Sequence, residues 1–219
     1  MNQKNIILAA AGIILLLGFF VISYQLTSKA PVLSFPALNT LRNREHIKWA
    51  KDKKHILIEY SDFQCPACGQ YYQMVKQIEN DPEAGKQIKE NITFVYRHYP
   101  LDTIHPHARE GAYAAEAAGE QGKFFEMHDL LFTNQATWSI SDKPEDTFVK
   151  YAQELKLDLD KYNKDYASST IRDRVQADLV SGNEVDVQAT PTFYLDGNKL
   201  ETPATPEEFK EILLQAIKS

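Results

Sequence analysis

Two cysteines in 219 residues exclude more than any other feature of this chain. A scaffold held by several disulfides is ruled out, and so is a structural zinc site built on four thiolates. Positive charge is not in excess either: 24 Lys and Arg stand against 30 Asp and Glu, a formal net charge of −6. With no basic stripe in the sequence, nucleic acid is not an expected partner. Internal repeats and low-complexity tracts are missing, and no cofactor or metal ion is expected. What remains, 43% hydrophobic and 25% charged, suits an ordinary globular core.

Long apolar runs are scarce too, with one exception at residues 6–22, which follow Lys4. Its length reaches the lower end of a bilayer-spanning helix, roughly 17–25 residues, and exceeds a signal-peptide core of about 7–15. A cleaved signal peptide is the alternative, but Pro31 directly after Ser28-Lys29-Ala30 makes a poor start for a mature chain. No cysteine follows the run closely, which excludes a lipoprotein. The expectation is therefore an uncleaved transmembrane anchor over residues 1–23, its positive end in the cytoplasm. The catalytic domain would then stand outside the cell membrane, in an oxidising compartment. Residues 24–43, with Pro31 and Pro36, read as a linker.

The two cysteines sit three apart as Cys65-Pro66-Ala67-Cys68, after the apolar run Ile56-Leu57-Ile58. The run predicts a strand over 56–60. The apolar positions Cys68, Tyr71, Tyr72, Val75 and Ile78 predict a helix from Pro66 to about residue 80, with proline in its first turn. A thiol at that strand–helix junction meets the N–H groups and dipole of the helix start, which stabilise a thiolate. A permanent staple is a poor alternative, because so short a ring closes almost no loop. The pair is a redox site by this reading, with Cys65 as nucleophile and Cys68 as its partner.

Further along, 92–96 predicts a second strand, and helices are predicted at 106–118, 123–133, 144–155, 158–167 and 170–180. A strand at 192–195, a turn at Asp196-Gly197, a short segment at 199–201 and a helix at 206–217 close the chain. The segment 44–53 is undecided between helix and strand. The fold class is α/β: a mixed sheet in the order β-α-β, then β-β-α, with a helical domain inserted between. The boundaries are 44–104 for the first half, 105–184 for the insertion and 185–219 for the second half.

Three segments carry a resemblance: Tyr60-Ser61-Asp62-Phe63-Gln64-Cys65-Pro66-Ala67-Cys68, Tyr96-Arg97-His98-Tyr99-Pro100-Leu101 continuing to His105-Pro106-His107-Ala108, and Ala189-Thr190-Pro191-Thr192-Phe193. With the order of elements, they resemble the DsbA-like branch of the thioredoxin superfamily, and its membrane-anchored bacterial members above all. The resemblance implies a thioredoxin-like fold and a thiol:disulfide oxidoreductase that introduces disulfides into exported proteins. It implies that Pro191 is a cis-proline beside the pair, that Thr190, Pro66 and Ala67 meet the substrate, and that Glu59 is a buried acid serving Cys68. A membrane-bound thiol oxidase would be the redox partner. Ala67 stands where the strongest oxidants of the branch carry histidine, so a milder oxidant is expected. A reductase or isomerase using the same site is the alternative. From another class comes an extracytoplasmic copper(I) chaperone, for which the three methionines and scattered histidines supply no further ligands. His105 and His107 form an H-x-H pair with no third ligand near in sequence. Phe63, Tyr71, Tyr72 and Tyr99 are candidates for an apolar groove or for core.

Overall fold

The computed structural model describes residues 2–4, 12–20, 23, 33–51 and 54–218, in two units, Met1–Leu33 and Ser34–Ser219. In the first unit residues 12–20 are helical and expose Ile13 to Leu17, Phe19 and Phe20. The rest of the apolar run expected as an anchor lies outside the described residues. Among the described residues no helix is long and apolar enough to cross a membrane. Most of the expected linker, 24–32, also lies outside them. From Ser34 onward the chain bridges to Asn198, makes a 3-10 turn at Pro36–Asn39 and buries Leu38.

In the second unit the segment 44–53, undecided from sequence, supplies β1 (His46–Trp49), and the apolar run becomes β2 (His55–Ser61). After it come α1 (Pro66–Glu79), α2 (Ala84–Asn91) and β3 (Ile92–His98). The strand order is β1-β3-β2, then β4 (Thr192–Leu195) and β5 (Asn198–Lys199). β2 runs parallel to β3, while the β1–β3, β2–β4 and β4–β5 pairs are antiparallel. A helix, α9 (Pro206–Lys218), ends the chain, with the Thr205 hydroxyl accepting the Glu208 N–H.

β2 is buried on both faces because it is the central strand, so its sequence reads as nearly continuous apolar rather than alternating. Its two faces serve different clusters. Leu57 points with Phe94, Tyr96, Phe193 and Leu195 toward Cys68 and Val75 of α1. Ile56, Ile58 and Tyr60 point the other way, with Val95 and Tyr194.

Between β3 and β4 lie six helices: α3 (Ala108–Gly119), α4 (Phe124–Thr133), α5 (Gln135–Trp138), α6 (Pro144–Glu154), α7 (Leu159–Tyr166) and α8 (Ser169–Glu184). α3 is the hub, touching α4, α6, α7 and α8. Its sequence explains why: Ala112, Ala114, Ala115, Ala117 and Ala118 are buried and small enough to admit four neighbours. Asp158 and Ser168 cap α7 and α8 by accepting the N–H groups of Lys161 and Ile171. The architecture is the mixed thioredoxin-like sheet with a helical insertion that the sequence predicts.

Candidate active site

β2 ends at Ser61, and the loop Asp62–Gln64 delivers the chain to Cys65, the N-cap residue of α1 with Pro66 at the first helical position. The Cys65 carbonyl accepts the Gly69 N–H at 3.2 Å, so the sulfur stands beside the free N–H groups of the first turn. Both thiols are free. Cys65 keeps 7% of its surface exposed and Cys68 none, which gives the pair a reachable and a sealed member. Pro66 is exposed and Ala67 half-buried beside them.

The Thr190–Pro191 bond is cis and brings Thr190 against the cysteine pair. The Cys65 thiol donates to the Thr190 carbonyl oxygen at 3.4 Å. The electrostatics are lopsided. Cys65 is pulled down to about 5, chiefly by a hydrogen bond from the Cys68 thiol, against the opposing effect of burial. The Thr190 side chain and the N–H groups of Cys68 and Ala67 pull the same way. Cys68 is pushed well above its ordinary value by burial first, then by Cys65 and by the charge of Glu59. Glu59 is itself buried, and that burial raises its carboxyl to about 7 against the effects of Ser61 and Lys48. The structure thus brings together Cys65, Cys68, Thr190, Pro191 and Glu59 from three places in the sequence.

Sequence reasoning passed over the residues that hold this loop in place. The buried Asp62 carboxylate accepts from the N–H groups of Gln64 (2.7 Å) and Leu101 (2.9 Å), and lies 2.7 Å from His105 Nδ1. The Asp62 N–H points at Cys68 Sγ, 3.5 Å away. Gln135 in the insertion donates from Nε2 to the carbonyls of Phe63 and Cys65, at 2.7 and 2.9 Å. Gln64 donates to the Ser139 carbonyl and accepts the His107 N–H. A carboxylate in the sequence Ser61-Asp62-Phe63-Gln64-Cys65 was the available signal for Asp62; no local signal marks Gln135.

The histidine pair 105/107 is divided between two of these contacts. Of the four aromatic candidates, Phe63 stacks on Tyr96 and packs on Phe132, Tyr72 stacks on Phe132, and Tyr99 meets Tyr60 edge-on. These three are core. Tyr71 is half-buried and donates to the Pro203 carbonyl.

Among the described residues one group has metal-ligand atoms converging within 4.8 Å: His46, His98 and Glu116. Both Nε2 atoms meet Glu116 Oε1, at 2.7 and 3.0 Å, and Arg174 donates to Oε2. Both oxygens of that carboxylate are already engaged by protein groups, so the cluster is a buried hydrogen-bonded cage around the Arg174–Glu116 ion pair, joining β1, β3, α3 and α8.

A family model described as thioredoxin matches residues 45–215. Among curated proteins, the Na(+)/H(+) antiporter NhaA 3 of Salinispora tropica is 34% identical over 81% of this chain and 25% of its own length. NhaA 1 of Salinispora arenicola is 37% identical over 72% of this chain and 22% of its own. The chain thus spans about a quarter of the length of the curated relatives it matches. Among solved structures, oxidised BdbD from Bacillus subtilis superposes with a TM-score of 0.67 at 19% identity, covering 80% of this chain and 94% of that one. α-DsbA1 of Wolbachia pipientis gives 0.68 at 18% identity, over 84% and 96%. What is shared at such identities is the fold.

Proposed function

The chain belongs to the thioredoxin family, and on that premise we propose that it is a thiol:disulfide oxidoreductase that introduces disulfides into exported proteins through Cys65 and Cys68. The observation that carries this reading is the opposed acidity of the two sulfurs: Cys65 is lowered to about 5 while Cys68 is raised and sealed.

In the oxidised pair a client thiolate attacks Cys65 Sγ and the Cys65–Cys68 bond breaks. Cys68 leaves with the bonding electrons and takes up a proton, and the client is held as a mixed disulfide. A second client thiolate then attacks the client's own sulfur in that bond and releases Cys65 as thiolate. Two electrons have passed from client to pair, and the client has gained a disulfide. Stabilising the departing Cys65 thiolate favours the reduced pair and so the oxidation of clients. Thr190, at 3.4 Å from Cys65, offers backbone polar groups against which an extended client segment would lie, with Pro66 and Ala67 on the open side. Glu59, titrating near neutrality beneath Cys68, is the acid–base group for the buried sulfur.

A membrane-bound thiol oxidase, taking the two electrons onward, is the partner this cycle requires. The apolar run at residues 6–22 supports a membrane anchor with the catalytic domain extracytoplasmic.

Mixing the Cys68→Ser variant with an unfolded client that carries a disulfide tests the assignment: the Cys65 thiolate attacks that bond, one client sulfur leaves as thiolate, and no Cys68 is there to resolve the product. A client joined to Cys65 by a reducible bond is expected to accumulate, while Cys65→Ser yields none. No trapped species from Cys68→Ser would overturn the roles given to the two sulfurs. Equilibration with glutathione sets the direction: a potential near that of thioredoxin, about −270 mV, would favour the reductase instead.

A further inference from the structure

Beneath the cysteine pair two hydroxyls are sealed from solvent and make no hydrogen bond of ordinary geometry: those of Ser61 and Tyr96. Folding ordinarily avoids orphaned polar groups, so two of them around one thiol call for an explanation. Strand alternation sets Glu59 and Ser61 on the face of β2 that carries Leu57 toward Cys68. The register of β3 puts Tyr96 directly beside Glu59. The Asp62 N–H lies 3.5 Å from Cys68 Sγ, which sets the adjacent Ser61 beside that sulfur, and the Ser61 hydroxyl favours the ionised forms of Glu59, Cys68 and Tyr96. Glu59 influences Cys68 through its charge.

We propose that Ser61 relays the proton between Glu59 and Cys68, with the Tyr96 phenol as a donor to the Glu59 carboxylate. The inference rests on the redox reading of the pair and deepens it. As the disulfide opens, Cys68 leaves with the electron pair. The Ser61 O–H gives its proton to Cys68 Sγ while its oxygen takes the proton of the Glu59 carboxylic acid. Glu59 ends as carboxylate, Cys68 as thiol and Ser61 unchanged, and reoxidation runs the same path backwards. The groups facing Glu59 are Ser61 on its own strand, Lys48 on β1, Tyr96 on β3 and Cys68 on α1; β4 presents the uncharged Phe193. Asp62 and, on α4, His128 face Tyr96.

The test is rapid mixing of the oxidised full chain with dithiothreitol across a range of pH, comparing wild type, Ser61→Ala and Ser61→Thr. Ser61→Ala is expected to slow disulfide opening about tenfold, within the range of general acid–base effects, and to flatten the inflection near pH 7. Ser61→Thr, which keeps the hydroxyl, restores both. The Cys65 thiolate, followed by its ultraviolet absorbance, is expected to titrate unchanged in all three. An unaltered rate and pH profile in Ser61→Ala would remove the relay and leave the exchange chemistry standing. Failure of the wild-type pair to open at all would instead remove the reading beneath it. Because Ser61→Ala need not fold well, wild type in mixed light and heavy water gives a second readout. A curved dependence on deuterium fraction, from two protons in flight, supports the relay; a straight one overturns it.

Discussion

Gln135 occupies the space that a side chain on residue 69 would need. Its Oε1 lies 2.7 Å from where a Cβ on Gly69 would stand, while its Nε2 holds the carbonyls of Phe63 and Cys65. The insertion thereby grips the active-site turn, and the missing side chain is what admits the grip. Gly69→Ala is expected to expel the Gln135 amide and to cost about 1–2 kcal/mol, the worth of two hydrogen bonds. Gln135→Ala should cost a similar amount, and the double variant clearly less than the sum. Urea unfolding of the three variants reads this out, and strict additivity would mean that the two residues do not compete.

The acidity of Cys65 makes the stability of the reduced protein depend on pH. An unfolded thiol ionises near about 8.5, whereas Cys65 in the fold ionises at about 5. Its folded value is depressed, so ionisation stabilises the reduced fold. That gain builds as pH rises from about 5 to about 8.5 and is lost as pH falls through the folded value. The oxidised form has no thiol and lacks this dependence. Unfolding midpoints of the two forms are therefore expected to diverge in favour of the reduced one over that window; parallel curves would contradict the assigned acidity.

Glu59 has the opposite sign. Burial raises it from 4.5 to about 7, so the fold holds a proton that the unfolded chain releases, and stability falls as pH climbs between those values. Glu59→Gln is expected to stabilise the protein at pH 8 by on the order of 3 kcal/mol and to do little at pH 4. Disulfide opening should slow at the same time. Urea titrations at both pH values decide it, and a variant less stable than wild type at pH 8 would count against a strained carboxylate.

The parts legible in sequence are those written in neighbouring residues. An apolar run, a proline and two cysteines three apart specify β2, α1 and the pair, because local spacing fixes what faces what. The family likeness added Pro191 and Glu59. Interactions assembled from distant segments were not legible. Glu116 draws His46, His98 and Arg174 from 70, 18 and 58 positions away, and each looks like an ordinary surface residue in its own stretch. Helix α2 was missed because Ile88 is its only large apolar residue, too little to set a period. Ser61 gave no signal because a small hydroxyl is unremarkable in a strand until its surroundings are known.

Gly182 on α8 marks another close approach. A Cβ there would stand 2.5 Å from the Tyr99 ring and 3.2 Å from that of Tyr60. Tyr99 has little freedom to withdraw, since its hydroxyl lies 2.7 Å from Asn183 Oδ1 and 2.8 Å from the Val187 carbonyl. Gly182→Ala is expected to destabilise by about 1–3 kcal/mol through overpacking. Adding Tyr99→Leu should recover part of that loss, and a thermal midpoint unchanged by Gly182→Ala would refute the crowding.

The borders of the sheet bear on the company this protein keeps. One border is β5, two residues long and met by Ser34; the other is β1, four residues long and ended by Trp49 at φ 69°. Long bare margins invite stray strands to zip on and spread into aggregates. On the proposed function, in which half-made chains are briefly tethered by sulfur, margins this short would leave such visitors almost no hem to catch.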